Sequence, residues 1–312
     1  MQWASLAETA FPISPRAFAQ SDPKNGVRLS QRSLPVQRMP IRASSPDFKI
    51  RHIKFDWSAT LPKLWHSNDS FLTHLFDAAS LLFPVGERFF IDSVREWQAQ
   101  ITDPALLAHI RDFIGQEATH SQAHVQYNNR LREHGYDVDL FEKKLKGRLD
   151  FYRRYMPAKN RLASVLAYEH FTAMLADASL RDAAWLEGAH PTYAALWRWH
   201  AVEETEHKGV AYDLYQAIGG GYFRRVFEMA LTTFFFTKDL ASRQAHMIRR
   251  DGKLGDLGML WRGFKYLWLS PGIFLPMVPF YFRYYSPWFH PWQHNNTDVI
   301  EAWKRANERA QS

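Results

Sequence analysis

The chain has 312 residues, 46% hydrophobic and 15% aromatic, with a formal net charge of +7. That length and apolar content suffice for a sizeable core, in one large domain or two small ones. There is no cysteine, which excludes disulfides, thiolate metal sites and a cysteine nucleophile, so any metal must be held by His, Glu and Asp.

The basic surplus gathers near residues 143–161 and 243–253. Such a balance suits nucleic acid or an anionic membrane. The chain has no zinc-finger spacing, RRM-type aromatic motif or continuous basic helix, so nucleic acid is not expected as a partner. Residues 1–45 are rich in Ser, Pro, Arg and Gln and lack a long apolar run. They predict a disordered or loosely attached arm rather than a secretory signal, although a transit peptide shares this composition. Residues 46–312 are then expected to form a single helical domain, with a bundle core over about 68–220 and a C-terminal extension over 221–312.

Residues 48–65 mix aromatic and basic side chains and are expected to cap the fold. A first helical pattern starts after Ser67-Asn68-Asp69, which is N-cap chemistry. It runs through Phe71, Leu75, Ala78 and Leu82 and resumes through Glu87, Phe90, Ile91 and Val94. Pro84 and Gly86 predict a break just before Glu87. Thr102-Asp103-Pro104 starts the next helix, which should end at Gly135. A basic connection over 135–158 holds a short helix around 140–154. Further helices are predicted over about 158–180, from His190-Pro191 to Ile218, and over 222–250. Residues 256–292 are dense in Trp, Phe and Tyr and punctuated by prolines. They predict a Pro-rich wrap on the helical core, with interfacial membrane contact as the alternative. An amphipathic helix over about 297–310 closes the chain. No period-2 alternation persists, so the fold class is all-α.

Two stretches carry the same pair of metal-ligating residues: Glu117 with His120, and Glu204 with His207. A spacing of three puts each pair on one helix face. Glu87 precedes the first pair by 30 residues and Glu169 precedes the second by 35, intervals that suit antiparallel helix hairpins. The step of 52 between Glu117 and Glu169 suits a crossover. Two carboxylate helices and two Glu-x-x-His helices can build a di-metal cage in a four-helix bundle of ferritin-like topology. An ionised Glu within an apolar helix is costly unless paired or metal-bound. A lone Glu-x-x-His match arises by chance, and a third copy, Glu187 to His190, falls in a turn and is set aside. The plainer alternative is that these are ordinary polar helix faces. His124 and His200, each one turn from a ligand pair, are weaker candidates for ligation or for support. His170 is expected to pack or to hydrogen-bond. Glu203 is the candidate proton acceptor, and Glu206 is expected to face outward.

Four stretches, Phe83-Pro84-Val85-Gly86-Glu87-Arg88-Phe89-Phe90, Gln116-Glu117-Ala118-Thr119-His120, Tyr168-Glu169-His170 and Glu203-Glu204-Thr205-Glu206-His207, carry a family resemblance. The pattern resembles ferritin-like di-iron carboxylate proteins. More closely, over roughly 50–290, it is similar to a bacterial family labelled predicted metal-dependent hydrolases. The resemblance implies two divalent ions on Glu87, Glu117, His120, Glu169, Glu204 and His207, iron ahead of manganese or zinc. The ferritin-like setting implies dioxygen activation and oxidation of a small apolar substrate, with a separate electron-donor protein. The family label implies hydrolysis by metal-activated water, with Glu203 taking the proton. A non-catalytic, metal-binding helical protein is the third reading. A cytoplasmic location with peripheral membrane contact through 256–292 is expected, and a homodimer is compatible with the pattern.

Overall fold

The computed structural model describes residues 48–58 and 60–311, with side chains described through residue 307. The arm expected over 1–45 lies outside those residues. The elements are α1 (Ser70–Ser80), α2 (Phe83–Gln98), α3 (Pro104–Glu133), α4 (Val138–Tyr155), α5 (Ala158–Arg181), α6 (Pro191–His207), α7 (Val210–Ala217), α8 (Tyr222–Arg250), α9 (Leu257–Trp268), α10 (Val278–Arg283) and α11 (Thr297–Gln311). The all-α expectation holds: β pairing among the described residues is confined to an isolated bridge between His66 and Ala189.

Local chemistry sets the helix ends. The Asp69 carboxylate accepts the backbone N–H groups of Phe71 and Leu72, which would otherwise lack partners at the start of α1. Asp103 caps α3 in the same way, with Pro104 in its first turn. Gly135, just beyond α3, has φ of 82°, a conformation that costs glycine nothing.

Two boundaries differ from expectation. The break between α1 and α2 lies at Leu81–Leu82, ahead of Pro84 rather than between Pro84 and Glu87. Pro84 falls in the first turn of α2, where no intrahelical N–H bond is lost. Glu87 therefore projects from regular helix. The single helix expected over 191–218 is divided at Lys208–Gly209 into α6 and α7. Glycine weakens the helix there, and the Lys208 ammonium is drawn off to the carbonyl of His294 and the Asn296 side chain at 2.7 and 2.6 Å.

Helices α2 and α3 pack side by side, as do α5 and α6; α2 also meets α5, and α3 meets α6. The four helices that carry the candidate ligands thus form one group, with α4 in the connection between the two pairs. Along α3, Phe113 belongs to one apolar core and Tyr127 to another. Along α6 and α7, Trp199 belongs to the second core and Val210 to the first. Glu117, His120, Glu204 and His207 fall between these positions, so a polar band separates two apolar cores. Helix α8 lies on α1 and α5, and α9 crosses α1. The crossing depends on Gly263, where an added Cβ would sit 2.3 Å from the Phe71 ring. No helix among the described residues is long and apolar enough to cross a membrane.

Candidate metal centre

Four helices each deliver acidic groups to one buried cluster. Helix α2 contributes Glu87, α3 contributes Glu117 and His120, α5 contributes Glu169, and α6 contributes Glu204 and His207. All six are buried, none more than 4% exposed. Their donor atoms, together with those of His200, fall into three overlapping groups, each within 4.8 Å: Glu87, His120 and His200; Glu117, Glu169 and His207; Glu117, His120 and Glu204. Nε2 of His207 lies 3.3 Å from Glu117 Oε1, 3.3 Å from Glu169 Oε2 and 3.4 Å from Glu204 Oε2. The other oxygen of Glu204 lies 2.8 Å from His200 Nε2 and 3.7 Å from His120 Nδ1. Glu204 thus spans two halves of the cluster with its two oxygens, and Glu117 belongs to two of the three groups.

The residues fit divalent cations. Both carboxylate oxygens of Glu87, Glu117 and Glu169, Oε2 of Glu204, Nδ1 of His120 and Nε2 of His207 are buried without a hydrogen bond. Unsatisfied buried polar groups are rare because each carries its desolvation penalty, and for ions that penalty is several kcal/mol. Four carboxylates facing two imidazole lone pairs form a hard, mixed oxygen–nitrogen donor set suited to divalent first-row metals. Two divalent ions would balance the charge of the four carboxylates.

The electrostatics agree. Burial, reinforced by the Glu204 charge, raises Glu87 well above the usual carboxylate range. Burial and the Glu169 charge do the same to Glu117. Burial pushes Glu169 up to about 7 against the pull of His207. His207 is raised because Glu169 and Glu204 outweigh the opposing effect of its burial. Glu204 is lowered because His207 and the His200 hydrogen bond outweigh its burial. In the metal-free cluster Glu169, at about 7, is partly protonated at neutral pH, and burial and the neighbouring carboxylates shift Glu87, Glu117 and His207 in the same direction, toward keeping their protons. Cations bind the deprotonated forms. Metal binding at pH 7 should release protons, and apparent affinity should rise as pH rises through 7. Calorimetric titration in buffers of different ionisation enthalpy measures this; zero proton release at pH 7 would contradict the assignment.

Behind the ligands lies a second layer that the sequence reading missed. Nε2 of His120 faces Glu203 Oε2 at 3.1 Å, leaving Nδ1 toward the cluster. Nδ1 of His207 faces Gln116 Oε1 at 3.0 Å, leaving Nε2 toward the cluster. Gln116 in turn donates to Glu206 Oε2 at 3.1 Å. Such partners set the tautomer and orientation of metal-binding histidines. Arg51 joins both branches: its guanidinium donates to Glu203 at 3.1 Å and twice to Glu206 at 2.7 Å. Glu206 was expected to face outward; it is fully buried in this network. The reason is that α6 has almost no solvent face from Trp199 to His207, so Glu204 can face the cluster while Glu203 and Glu206, on another face, are also interior. Glu203 likewise points away from the cluster, its oxygens occupied by His120, Trp199 and Arg51. Burial raises its carboxyl to about 7 despite Arg51.

His200 and His124 also join the site. Asn128 donates from its amide to the Ser80 carbonyl, so its Oδ1 must accept from the Ser80 hydroxyl. Ser80 Oγ is then the acceptor for His124 Nδ1–H at 2.9 Å, and His124 Nε2 accepts from His200 Nδ1–H at 2.7 Å. Nε2 of His200 in turn faces Glu204 at 2.8 Å and Glu87 at 3.7 Å. A lone pair facing carboxylates is repulsive unless a proton or a cation lies between them. His170 stands apart, bonded to the Phe280 carbonyl at 3.0 Å.

An apolar cavity of about 100 Å³ ends at Glu204 and His200; its walls include Phe76, Phe83, Trp197, Phe236 and Phe274. A second cavity reaches Glu87 and shares Phe83, Thr172 and Phe236 with the first.

No curated protein and no solved structure is significantly similar to the chain. Residues 49–295 match the family described as predicted metal-dependent hydrolase. That span takes in all four ligand-bearing helices and Arg51, and the chain belongs to that family.

Proposed function

We propose that the chain is a two-metal hydrolase acting on a small, largely apolar molecule, with the ions held by Glu87, Glu117, His120, Glu169, Glu204 and His207. The observation that carries this reading is the set of buried carboxylate and imidazole atoms that lack hydrogen-bond partners and converge from four helices. The family description supports hydrolysis over oxidation. Bound divalent ions supply Lewis acidity: they polarise a carbonyl or phosphoryl oxygen and acidify water. The protein's own groups prepare the site. Glu203 holds the His120 ring by its Nε2 proton, and Gln116 holds His207 by its Nδ1 proton, so each ring presents a lone pair inward. Glu203, expected from the sequence to accept a proton from water, is therefore assigned to positioning His120. The apolar cavity walls exclude bulk water and favour a substrate with an aliphatic or aromatic body.

One observation favours a second reading. Four carboxylates and two histidines on paired helices form the donor set of di-iron carboxylate bundles, in which iron and dioxygen would oxidise the apolar molecule with electrons from a separate donor protein. The two readings part under anaerobic conditions. Hydrolysis predicts turnover of ester or amide substrates by the zinc- or manganese-loaded protein without oxygen. Oxidation predicts no such turnover and oxygen consumption by the ferrous protein.

A further inference from the structure

We propose that the outward face of α9 and the loop that follows it dock on an anionic lipid surface. Helix α9 has two faces. Met259, Gly263 and Tyr266 point inward and are buried. Leu257, Trp261, Phe264 and Trp268, at spacings of four, three and four, form the opposite stripe and are 78%, 57%, 45% and 40% exposed. A helix on a protein surface ordinarily turns polar residues to water. This one turns large apolar residues outward and is apolar on both sides. The chain beyond it continues the pattern, with Leu269, Leu275, Val278 and Phe282 exposed. Scattered exposed apolar residues are common, but eight large ones within 26 residues of chain mark an interaction surface.

Charge identifies the occupant. From Leu257 to Thr297 the sequence contains no Asp or Glu, while Arg262 and Lys265 stand beside the exposed stripe and Arg283 follows. Arg262 also pairs with Asp69 at 3.0 Å; Lys265 is exposed. A second copy of this chain would bring its own surplus, +7 in total, whereas anionic headgroups bring the opposite sign. Trp and Phe with flanking basic residues are the composition that settles at the boundary between headgroups and acyl chains. With no crossing helix among the described residues, the contact would be with one leaflet.

A separate observation ties this surface to the interior. Phe274, between exposed Leu269 and Leu275, forms part of the wall of the apolar cavity that ends at Glu204 and His200. A molecule dissolved in the bilayer would meet this surface first. That last link rests on the two-metal reading; docking itself does not.

The test uses the full chain, metal-free, so that its outcome is independent of any reaction. Protein is sedimented with vesicles of phosphatidylcholine alone or of phosphatidylcholine mixed with phosphatidylglycerol, at low and high salt. The expected result is at least ~10-fold stronger binding to the anionic vesicles, lost at high salt. The variant W261E/F264E should lose that binding by ~10-fold or more with an unchanged melting temperature, and the milder W261S should lose part of it. Three results would overturn the proposal: wild-type protein left in the supernatant with both vesicle types, variants that bind as well as wild type, or a dimer in sedimentation velocity that W261E/F264E dissociates while no vesicle is bound.

Discussion

Protein carrying Glu117→Gln should bind fewer than one metal ion per chain where the wild type binds about two. Glu117 shares donor atoms with two of the three ligand groups, one containing Glu169 and His207, the other His120 and Glu204. Removing its charge therefore weakens both halves, whereas Glu87→Gln should weaken mainly the half built on His120 and His200. The stability effect runs opposite to the usual cost of altering a buried residue. In the metal-free protein Glu117 is buried beside Glu169, Glu204 and Glu87, all of which raise its proton affinity. Glu117→Gln removes the cost of burying an ionisable carboxyl among them, so the metal-free variant should melt at or above the metal-free wild type. With metal added, the wild type should gain ~3–4 kcal/mol at several hundred times its dissociation constant, and the variant should gain far less. Metal analysis and melting curves with and without metal check both parts. A variant that keeps two ions, or a wild type that metal does not stabilise, would remove the basis for the cluster.

Much of this cluster was legible in the sequence because its signals are local. The two Glu-x-x-His pairs fix a helix face by spacing alone, and the 30- and 35-residue intervals place Glu87 and Glu169 at matching depth; the structure brings all six residues together. What the sequence hid is long-range. Arg51 meets Glu203 and Glu206 from 152 and 155 residues away, and no periodicity encodes that contact. Glu206 was assigned to solvent on the assumption that a helix has one buried stripe; α6 is enclosed on nearly all sides, and its flanks of Tyr193, Leu196 and Trp199 were the available hint. Pro84 was read as a break, but proline in a first turn starts a helix as readily as it ends one. Here it starts one, and Leu81, at the break, is fully buried. The outward stripe of α9 was legible as composition. Its direction was not, because an apolar helix with two faces gives no sequence sign of which one turns inward.

Arg51 is where stability and metal binding meet. It lies in the extended segment before α1, flanked by Phe48, which packs on His109 and His207, and by Phe55, which packs on Trp199. Ile50 fills the space left by Gly115 on α3. The segment is therefore a strap laid over the backs of α3 and α6, and Arg51 is its polar anchor. The acids it pairs with are fully buried, while its own side chain is 20% exposed. Arg51→Ala would strand two buried carboxylates. Breaking a buried pair from one side typically costs about 3–5 kcal/mol, less here for that partial exposure and for Lys304, which lies 3.6 Å from Glu206. The same loss would free Glu203 and Glu206 to reorient, loosening His120 and His207 and lowering metal affinity by about 10–100-fold. Arg51→Lys should recover only part of either effect, since an ammonium cannot repeat the two-pronged contact with Glu206. The two effects can be separated with R51M/E203Q/E206Q. Neutralising all three members removes the stranded charge and should restore most of the stability. It replaces the carboxylate behind His120 with an amide, so metal affinity should stay low. Denaturant melts and metal titrations of the three variants read this directly. If the triple variant regained wild-type affinity, Arg51 would be only a clasp for the strap, and the histidines would owe their orientation to packing alone.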